Sequence, residues 1–257
     1  MAEEIKLSSI IIAKNEENNI GRCIKSQLDC IDEIFVLVDN KSEDKTLEIV
    51  NSFENVKVEK VEWKGYSATK QYGVDKAKYN WIFWIDADEE LTPELCNEIN
   101  EFKKSVPEFS AYQVPRLANF LGRWIKHSGW YPGYVNRFFN KEKVRFSESD
   151  VHEHLVVSGE TGKFKNDLLH YTDPNSFHYF SKFNRYTTLA ADELHKNGKR
   201  FKLSDILLRP IIIFVKMYLL KKGFLDGIQG LILAAFSSSY VFTKYCKLWE
   251  IENKIDA

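Results

Sequence analysis

Short apolar runs alternate with amphipathic segments over the first hundred residues. The apolar runs are rich in β-branched residues and are apolar on both faces, as strands buried inside a parallel sheet are. They cover residues 7–13, 33–39, 56–61 and 81–85. Strands that alternate with helices form right-handed βαβ units, so this pattern predicts an α/β fold with helices on both faces of a mostly parallel sheet.

The segments between these runs predict four helices. The first carries apolar residues at helical spacing from Ile20 to Leu28, and Ser42 is expected to cap the second. The third is predicted over residues 67–78. The fourth should begin after Thr92, a capping residue followed by Pro93 at the first helical position.

The pattern changes after about residue 105. Short strand-like segments and loops containing Gly and Pro follow as far as residue 172, which predicts mixed or antiparallel structure at one edge of the sheet. From Asn175 the pattern is helical to the end. The predicted organisation is one domain over residues 1–172, with two halves over about 1–105 and about 106–172, and a helical region over 173–257.

Composition narrows the possible functions. The chain has 257 residues, 36 Lys+Arg against 37 Asp+Glu and a net charge of -1, whereas nucleic-acid binding needs a basic excess, so no nucleic-acid partner is expected. Four scattered cysteines are too few for a disulfide framework and predict a reducing compartment. The acidic N-terminus is unlike a signal peptide, and no run approaches the roughly 20 continuous apolar residues of a simple membrane span. A cytoplasmic protein is therefore expected.

Acidic and polar residues follow three of the predicted strands. They are residues 13–16 (AKNE), residues 39–40 (DN) and residues 86–90 (DADEE). Ligands of open α/β sheets bind outside the carboxyl ends of the strands, and hard divalent cations prefer oxygen ligands. The pattern indicates a nucleotide with Mg²⁺ or Mn²⁺, although Asp39, Asp86 and Asp88 could also be turn residues. The sequence contains no P-loop and no dinucleotide-binding glycine motif.

Several motifs together resemble family 2 glycosyltransferases of the GT-A fold, in particular the bacterial branch that adds a sugar, often β-glucose, to the lipopolysaccharide inner core. The resemblance covers nearly the whole chain. It rests on residues 11–20 (IIAKNEENNI), 38–46 (VDNKSEDKT), 84–90 (WIDADEE), 128–132 (SGWYP), 136–139 (NRFF), 151–153 (VHE), 168–171 (LLHY) and 222–230 (KGFLDGIQG). Lys41 stands where the family usually has Gly, which puts the shape of that loop in question.

The resemblance implies an inverting transferase that uses a UDP-sugar and a divalent metal ion. Asp39 would bind the base, Asp86 the ribose or the sugar, and Asp88, with Asp86, the metal. Lys70 would lie near the diphosphate, and Ala13, Asn15 and Glu16 would line the nucleotide pocket. Arg137 could contact the donor phosphate or an anionic acceptor, or could only anchor its loop to Asp150.

Inversion in a single displacement requires a general base for the acceptor hydroxyl. The candidates are Asp150 and Glu153, and Glu153 is favoured because it occupies the acidic position of the VHE motif. Glu153 could instead be a surface strand residue. His127, His152, His154 and His170 match no zinc-ligand spacing, so a zinc site is not expected.

The C-terminal third combines basic residues with apolar helical segments. Eight Lys and Arg residues stand against Asp205 alone over residues 196–222. This favours helices lying in an anionic membrane surface, although helices that cover the sheet or form a homodimer would show the same pattern.

The sequence as a whole predicts a peripheral enzyme on the inner face of the cell membrane that acts on a glycolipid or oligosaccharide acceptor. Two alternatives stay open. One is a transferase directed at polyprenyl phosphate or at protein, and the other is a non-catalytic membrane protein that binds nucleotide sugars.

Overall fold

The computed structural model describes residues 4–146, 155–157 and 159–255. The chain divides into two compact units, one formed by residues 1–116 and 133–170 and the other by residues 117–132 and 171–257. Residues 117–132 belong to the same unit as the C-terminal helices. The predicted boundaries, at about residue 105 between a nucleotide-binding and an acceptor half and at residue 172 before the helical region, stay predictions.

The strands and helices are as follows. The strands are β1 (Leu7–Ala13), β2 (Glu33–Asp39), β3 (Val56–Val61), β4 (Trp81–Asp86), β5 (Glu89–Leu91), β6 (Ala111–Phe120), β7 (Arg123–Trp124), β8 (Gly133–Asn140), β9 (Val144–Phe146), β10 (Leu155–Val157), β11 (Gly162–Lys163) and β12 (Leu168–Asp173). The helices are α1 (Ile20–Lys25), α2 (Thr46–Asn51), α3 (Tyr66–Lys76), α4 (Pro93–Lys103), α5 (Ser176–Lys196), α6 (Leu203–Leu207), α7 (Arg209–Val215) and α8 (Gly227–Glu252). A π-helical segment, Lys216–Leu220, follows α7, and a 3₁₀ turn, Gly223–Asp226, precedes α8.

The sheet confirms the predicted α/β architecture. Its strand order is β3-β2-β1-β4-β8-β6-β12-β5, and the first four strands are parallel. β4 with β8, β8 with β6, and β12 with β5 pair antiparallel, as expected of the segment after residue 105. The outer edge of the sheet is therefore mixed, and the parallel half carries the acidic strand ends.

Successive residues of the parallel strands point to opposite faces of the sheet, and each face has its own core. Ile11 and Val36 pack in the same core as Cys23 of α1 and Leu95 of α4. The neighbouring positions on the strands form a second core that includes Val74 of α3. Helices thus cover both faces, which confirms the three predicted layers.

Two of the predicted helix signals were wrong in detail. Ser42 does not cap α2, which begins at Thr46, because the Ser42 hydroxyl accepts a hydrogen bond from the backbone N–H of Asn15. Leu28 lies beyond the end of α1 and is 49% exposed. The start of α4 is as predicted, since the Thr92 hydroxyl accepts a hydrogen bond from the Leu95 N–H at 3.2 Å.

One pair of cysteines corrects the expectation from the sequence. Cys30 and Cys96 form a disulfide with a Cα–Cα distance of 5.5 Å, and Cys23 is free and buried. Two cysteines 66 residues apart carry no pairing signal of their own, because only the fold brings the loop after α1 against α4.

The second unit is mainly helical, as predicted from Asn175 onward. Helix α8 packs along α5 and α7. At its start, Asp226 is 2% exposed and accepts a hydrogen bond from the His127 backbone N–H, and its carboxylate lies 2.9 Å from His127 Nδ1. Asp226 of the 222–230 motif is therefore bound to His127, the residue directly before the 128–132 motif.

One helical stretch among the described residues, Gly223–Glu252, is long and apolar enough to cross a membrane, with a mean hydropathy of 1.2. The sequence predicts no span, since it contains no run of roughly 20 continuous apolar residues. Apolar core helices of soluble proteins also have this length and composition.

Candidate active site

The carboxyl ends of three adjacent parallel strands lie at one edge of the sheet. β1 pairs with β2 and β4 on its two sides, with Ala13 level with Val38 and Ile12 level with Asp86. Asp86 is thus level with Leu37, two residues before Asp39. Two strand spacings and two residues along the strand place the Cα atoms of Asp39 and Asp86 about 12 Å apart. This is the edge at which the sequence predicted a ligand site.

Hydrogen bonds join the loop after β1 to the loop after β2. The Asn15 N–H donates to Ser42 Oγ at 3.0 Å, and Asn15 Oδ1 accepts from the Glu43 N–H at 2.9 Å. The Glu16 N–H donates to Thr46 Oγ1 at 2.7 Å. The Asn15 side chain, predicted to line the nucleotide pocket, thus holds the two loops together.

Asp39 is a buried carboxylate at the end of β2, with 1% of its surface exposed. Its Oδ1 accepts a hydrogen bond from the Lys41 N–H at 2.9 Å, and its Oδ2 lies 3.2 Å from Lys14 Nζ. That second contact has the distance of an ion pair but not the geometry of a hydrogen bond, so within the described part of the chain nothing donates a hydrogen bond to Oδ2. The Lys41 N–H, together with Lys14, lowers the pKa of Asp39 against the opposing effect of burial.

A cavity of about 570 Å³ opens beside Asp39, a volume within the usual range for a small-molecule site. Its walls come from the ends of β2 and β3, from the two joined loops and from α2. They include Val38 of β2, Leu47 of α2 and Lys60 of β3. Asp39 therefore offers an ionised oxygen at the side of a cavity that has both apolar and polar walls.

Asp86 belongs to a buried cluster with Arg137 and Glu89. Arg137 Nη2 donates hydrogen bonds to Asp86 Oδ2 and, at 2.6 Å, to Glu89 Oε1. The Asp86 N–H donates to Glu89 Oε2 at 3.0 Å. Glu89 is fully buried and Arg137 is 3% exposed, whereas the Asp86 side chain is 39% exposed. This guanidinium therefore compensates one carboxylate away from water and a second one at the surface.

The two carboxylates respond to their surroundings in opposite directions. Burial raises the pKa of Glu89, and the charge of Arg137 only partly offsets it. Burial also acts to raise the pKa of Asp86, but Arg137 and then Lys70 more than offset this effect, so the pKa of Asp86 is lowered. Burial lowers the pKa of Arg137, yet the two carboxylates outweigh it and the net pKa is raised. Asp86 is thus the ionised member that still reaches the surface.

Glu89 was not among the residues predicted from the sequence. It looked like one more acidic residue after the D-x-D motif, equivalent to Glu90. The pairing of β5 with β12, which sets Glu89 opposite His170, buries Glu89 and leaves Glu90 partly exposed. Arg137, in contrast, does lie beside the donor-site candidate Asp86. Asp150, its predicted alternative partner, lies outside the described residues.

Trp84 provides a surface for two cations next to Asp86. Lys70 Nζ lies 3.5 Å from the centroid of the indole ring, and Arg137 Cζ lies 3.8 Å from it. Lys70 is only 3% exposed, and the Trp84 indole N–H donates to the Asn136 carbonyl oxygen at 3.0 Å. Cations held against an aromatic face in this way are fixed in place, so positive charge is concentrated beside the Asp86 carboxylate.

Asp88 lies in the turn between β4 and β5. Its Oδ2 is 3.4 Å from His170 Nε2, and 22% of its side chain is exposed. Asp88 does not cap α4, because β5 intervenes and Thr92 caps that helix. Within the described residues, no three His, Cys, Asp or Glu side chains are grouped to hold a metal ion by themselves. Asp88 fits a Mg²⁺ or Mn²⁺ site of the kind in which one or two carboxylates act with substrate phosphates and water.

The remaining predicted site residues fall into two groups. Ala13 is buried at the end of β1, and the Glu16 carboxylate accepts a hydrogen bond from the Asn19 amide at 2.8 Å. Asp150 and Glu153, the two candidates for the general base, lie outside the described residues. Their assignment stays a prediction.

Comparison with known proteins gives consistent matches over most of the chain. The family model described as glycosyl transferase family 2 matches residues 8–189. The lipopolysaccharide core biosynthesis glycosyltransferase LpsC of Rhizobium meliloti is 30% identical, and the alignment covers 97% of this chain and 94% of that protein. An uncharacterized glycosyltransferase of Rickettsia typhi is 29% identical over 97% of this chain and 88% of its own length.

Among solved structures, the mannosyltransferase PcManGT of Pyrobaculum calidifontis, solved in complex with GDP-Man and Mn²⁺, has a similar fold. The two chains share a TM-score of 0.55 and 12% identity, and the match covers 96% of this chain and 88% of the other. At this identity the likeness concerns the fold alone.

Proposed function

This chain is a glycosyltransferase of glycosyl transferase family 2 with a GT-A-like fold, and from that premise we propose that it transfers a hexose, with glucose as the first candidate, from a UDP-sugar to a lipid-linked glycan. The acceptor would be of the lipopolysaccharide-core type, and transfer would occur with inversion at the cytoplasmic face of the membrane. The relative LpsC, a glycosyltransferase of lipopolysaccharide core biosynthesis, supports the acceptor class.

The observation that carries the donor proposal is the buried, ionised Asp39 beside a cavity. Its Oδ2 is ion-paired with Lys14 but accepts no hydrogen bond from the described residues. Uracil presents an imide N–H, and a carboxylate is the side chain that accepts such a donor most strongly. Leaving a buried acceptor without a donor is costly, so a nucleotide whose base supplies an N–H is the ligand that best fits this position.

The diphosphate of the donor would lie between the base position and Asp88. Lys70 and Arg137 supply positive charge beside Asp86, whose carboxylate would orient a ribose or sugar hydroxyl. Asp88, with Asp86, would hold Mg²⁺ or Mn²⁺, and a bound ion would neutralise the charge that develops on the departing nucleoside diphosphate. Arg137 would keep Asp86 ionised, because the guanidinium lowers the pKa of that carboxyl.

Inversion requires a carboxylate that takes the proton from the acceptor hydroxyl as that oxygen attacks the anomeric carbon. Glu153 is the proposed base, and Asp150 is the alternative. Glu153→Gln should retain binding of UDP and of the UDP-sugar but lose transfer. A normal transfer rate in this variant would move the assignment to Asp150.

The donor and metal assignments can be tested by calorimetry and by transfer assays. UDP-glucose is expected to bind with Mn²⁺ present. Asp88→Asn should weaken the effect of Mn²⁺ on UDP-glucose binding and should lower the transfer rate by at least about 100-fold. Glu54→Gln removes an exposed carboxylate elsewhere in the same unit and serves as the matched control. An Asp88→Asn variant with unchanged metal-dependent binding would exclude the proposed metal ligand.

The acceptor can be identified by following a labelled sugar. With membranes as the acceptor source, label should appear in the glycolipid fraction. Label in polyprenyl phosphate or in protein would select the first alternative to the proposed acceptor. Metal-dependent UDP binding without any consumption of donor would indicate a non-catalytic protein that binds nucleotide sugars.

A further inference from the structure

The second unit carries a run of exposed large apolar side chains between residues 203 and 228. They occur on α6, on α7, on the π-helical segment and at the start of α8. Eight of them are more than half exposed, among them Leu203 (63%), Ile211 (61%), Leu220 (73%) and Ile228 (62%). Scattered single apolar residues are normal on protein surfaces, but a contiguous set of this size marks an interaction surface.

These side chains are not needed for the core of their own unit. One core cluster is built around Phe120, Ile125 and Leu233, and another around Ala191, Tyr245 and Leu248. The exposed set belongs to neither cluster. The surface is therefore available for a partner.

The charged side chains that this segment exposes are all positive. The only acidic residues from 199 to 228 are Asp205 and Asp226, and each is 2% exposed. Asp205 is ion-paired with Arg209 at 2.5 Å and with Lys199 at 3.6 Å, and Asp226 is bound to His127. Lys216, Lys221 and Lys222 are exposed, so the exposed charges within residues 199–228 are positive.

We propose that this surface, residues 203–228, docks in the plane of an anionic lipid bilayer. Apolar side chains would enter the boundary between headgroups and acyl chains, and the lysines would contact the anionic headgroups. This inference rests on the proposed function, because a lipid-linked acceptor is the reason for the enzyme to approach a membrane. It identifies the surface of the enzyme that would contact that membrane.

The geometry of the segment supports in-plane docking. α7 and the π-helical segment together cover residues 209–220, about 18 Å of helix at 1.5 Å per residue, which is shorter than the roughly 30 Å apolar thickness of a bilayer. The adjacent helix α8 is attached to α5 by polar contacts, since Lys247 Nζ donates to Asn184 Oδ1 at 2.7 Å and to Thr187 Oγ1 at 2.9 Å. A spanning α8 would have to give up these contacts.

The test uses the full-length protein and vesicle flotation. Binding is expected to vesicles that contain phosphatidylglycerol, to be weak on pure phosphatidylcholine, and to fall at high salt. Ile211→Ser and Leu220→Ser should each weaken binding by about tenfold. Lys216→Gln and Lys222→Gln should each weaken it by about fivefold.

Val106→Ser is the matched control, because Val106 is an 82% exposed apolar residue of the other unit; this variant should bind vesicles like the wild type. Thermal unfolding and UDP binding should be unchanged in Ile211→Ser and Leu220→Ser, which separates loss of docking from loss of folding. A variant pair that binds anionic vesicles like the wild type would overturn the proposal.

Other occupants of the surface give different results. A stable dimer in sedimentation experiments that Ile211→Ser dissociates, without vesicle binding by the wild type, would assign the surface to a second copy of the chain. Protein that resists alkaline extraction from membranes would indicate a spanning helix. Vesicle binding without any UDP binding would refute the proposed function and leave the docking surface standing, whereas UDP binding without vesicle binding would do the reverse.

Discussion

Replacing Arg137 by Met should destabilise the protein strongly, because Arg137 is the buried cation that compensates both Asp86 and Glu89. Met retains the length and the apolar stem of the side chain but removes the cation that the two carboxylates share, and leaves Glu89 with its longer ion pair to Arg116 at 3.5 Å. Removing one member of a buried ion pair costs about 3–5 kcal/mol. For a chain of this size that corresponds to a fall in Tm of about 10 °C, measurable by calorimetry and by urea unfolding.

The loss should depend on pH in a defined direction. The pKa of Glu89 is already raised by burial, so Glu89 keeps its proton in the native state at pH values at which it is ionised in the unfolded chain. The free energy of unfolding therefore falls as the pH rises through the pKa of Glu89 in the folded protein. Removing Arg137 raises the pKa of Glu89 further and extends that fall to higher pH. Asp86 has the opposite sign, since its lowered pKa gives stability that is lost only as pH falls below its ordinary range. The loss of unfolding free energy in Arg137→Met should therefore be larger at about pH 8 than at about pH 5.

A second substitution provides the control. Glu89→Gln in the Arg137→Met background removes the fully buried charge and leaves Asp86, which is 39% exposed at its side chain and can be hydrated. The double variant should be more stable than Arg137→Met alone, and its deficit should vary little with pH. A double variant no more stable than the single one, or a deficit that is the same at both pH values, would refute the assignment of Arg137 as the compensating charge.

Three further outcomes are expected. Asp39→Asn should weaken UDP binding by about 10- to 100-fold in calorimetry, since it removes a charged hydrogen-bond acceptor; unchanged affinity would contradict the base-binding role. Thr92→Ala should lower the free energy of unfolding by about 1 kcal/mol in urea titrations through loss of the helix cap, and a change below the error of the titration would argue against that cap. Reducing agent should lower the unfolding free energy by up to about 4 kcal/mol, given the 66-residue separation of Cys30 and Cys96, and should not affect a Cys30→Ser, Cys96→Ser variant.

The parallel half of the fold could be predicted from the sequence because its signals are local. Residues 7–13 and 33–39 are short apolar runs with polar ends, and both are strands with those bounds. The alternation of strands with helices then fixes the sheet type. The cap at Thr92 was predictable for the same reason, since a capping hydroxyl and its partner N–H lie within one turn.

The remaining features depend on contacts between residues far apart in the chain. Glu89 and Glu90 are equivalent in the sequence, and only the pairing of β5 with β12 buries the first of them. Ser42 had the local signal of a helix cap but contacts Asn15 instead. Asp226 looked like a charge that interrupts an apolar segment, whereas it is the buried partner of His127. Side-chain charge alone does not distinguish a solvated residue from an internal one.

The bond between Asp226 and residues 126–127 has a practical consequence for protein production. Deleting an apolar C-terminal tail is a common way to obtain soluble protein, and a stop codon before Gly223 would look suitable here. Such a truncation would take away Asp226 and Leu233, which hold the His127 backbone and pack with Phe120 and Ile125. The truncated protein would expose the apolar residues of the segment between β6 and β8. Purifying the whole chain in a mild detergent is therefore the better route to crystals.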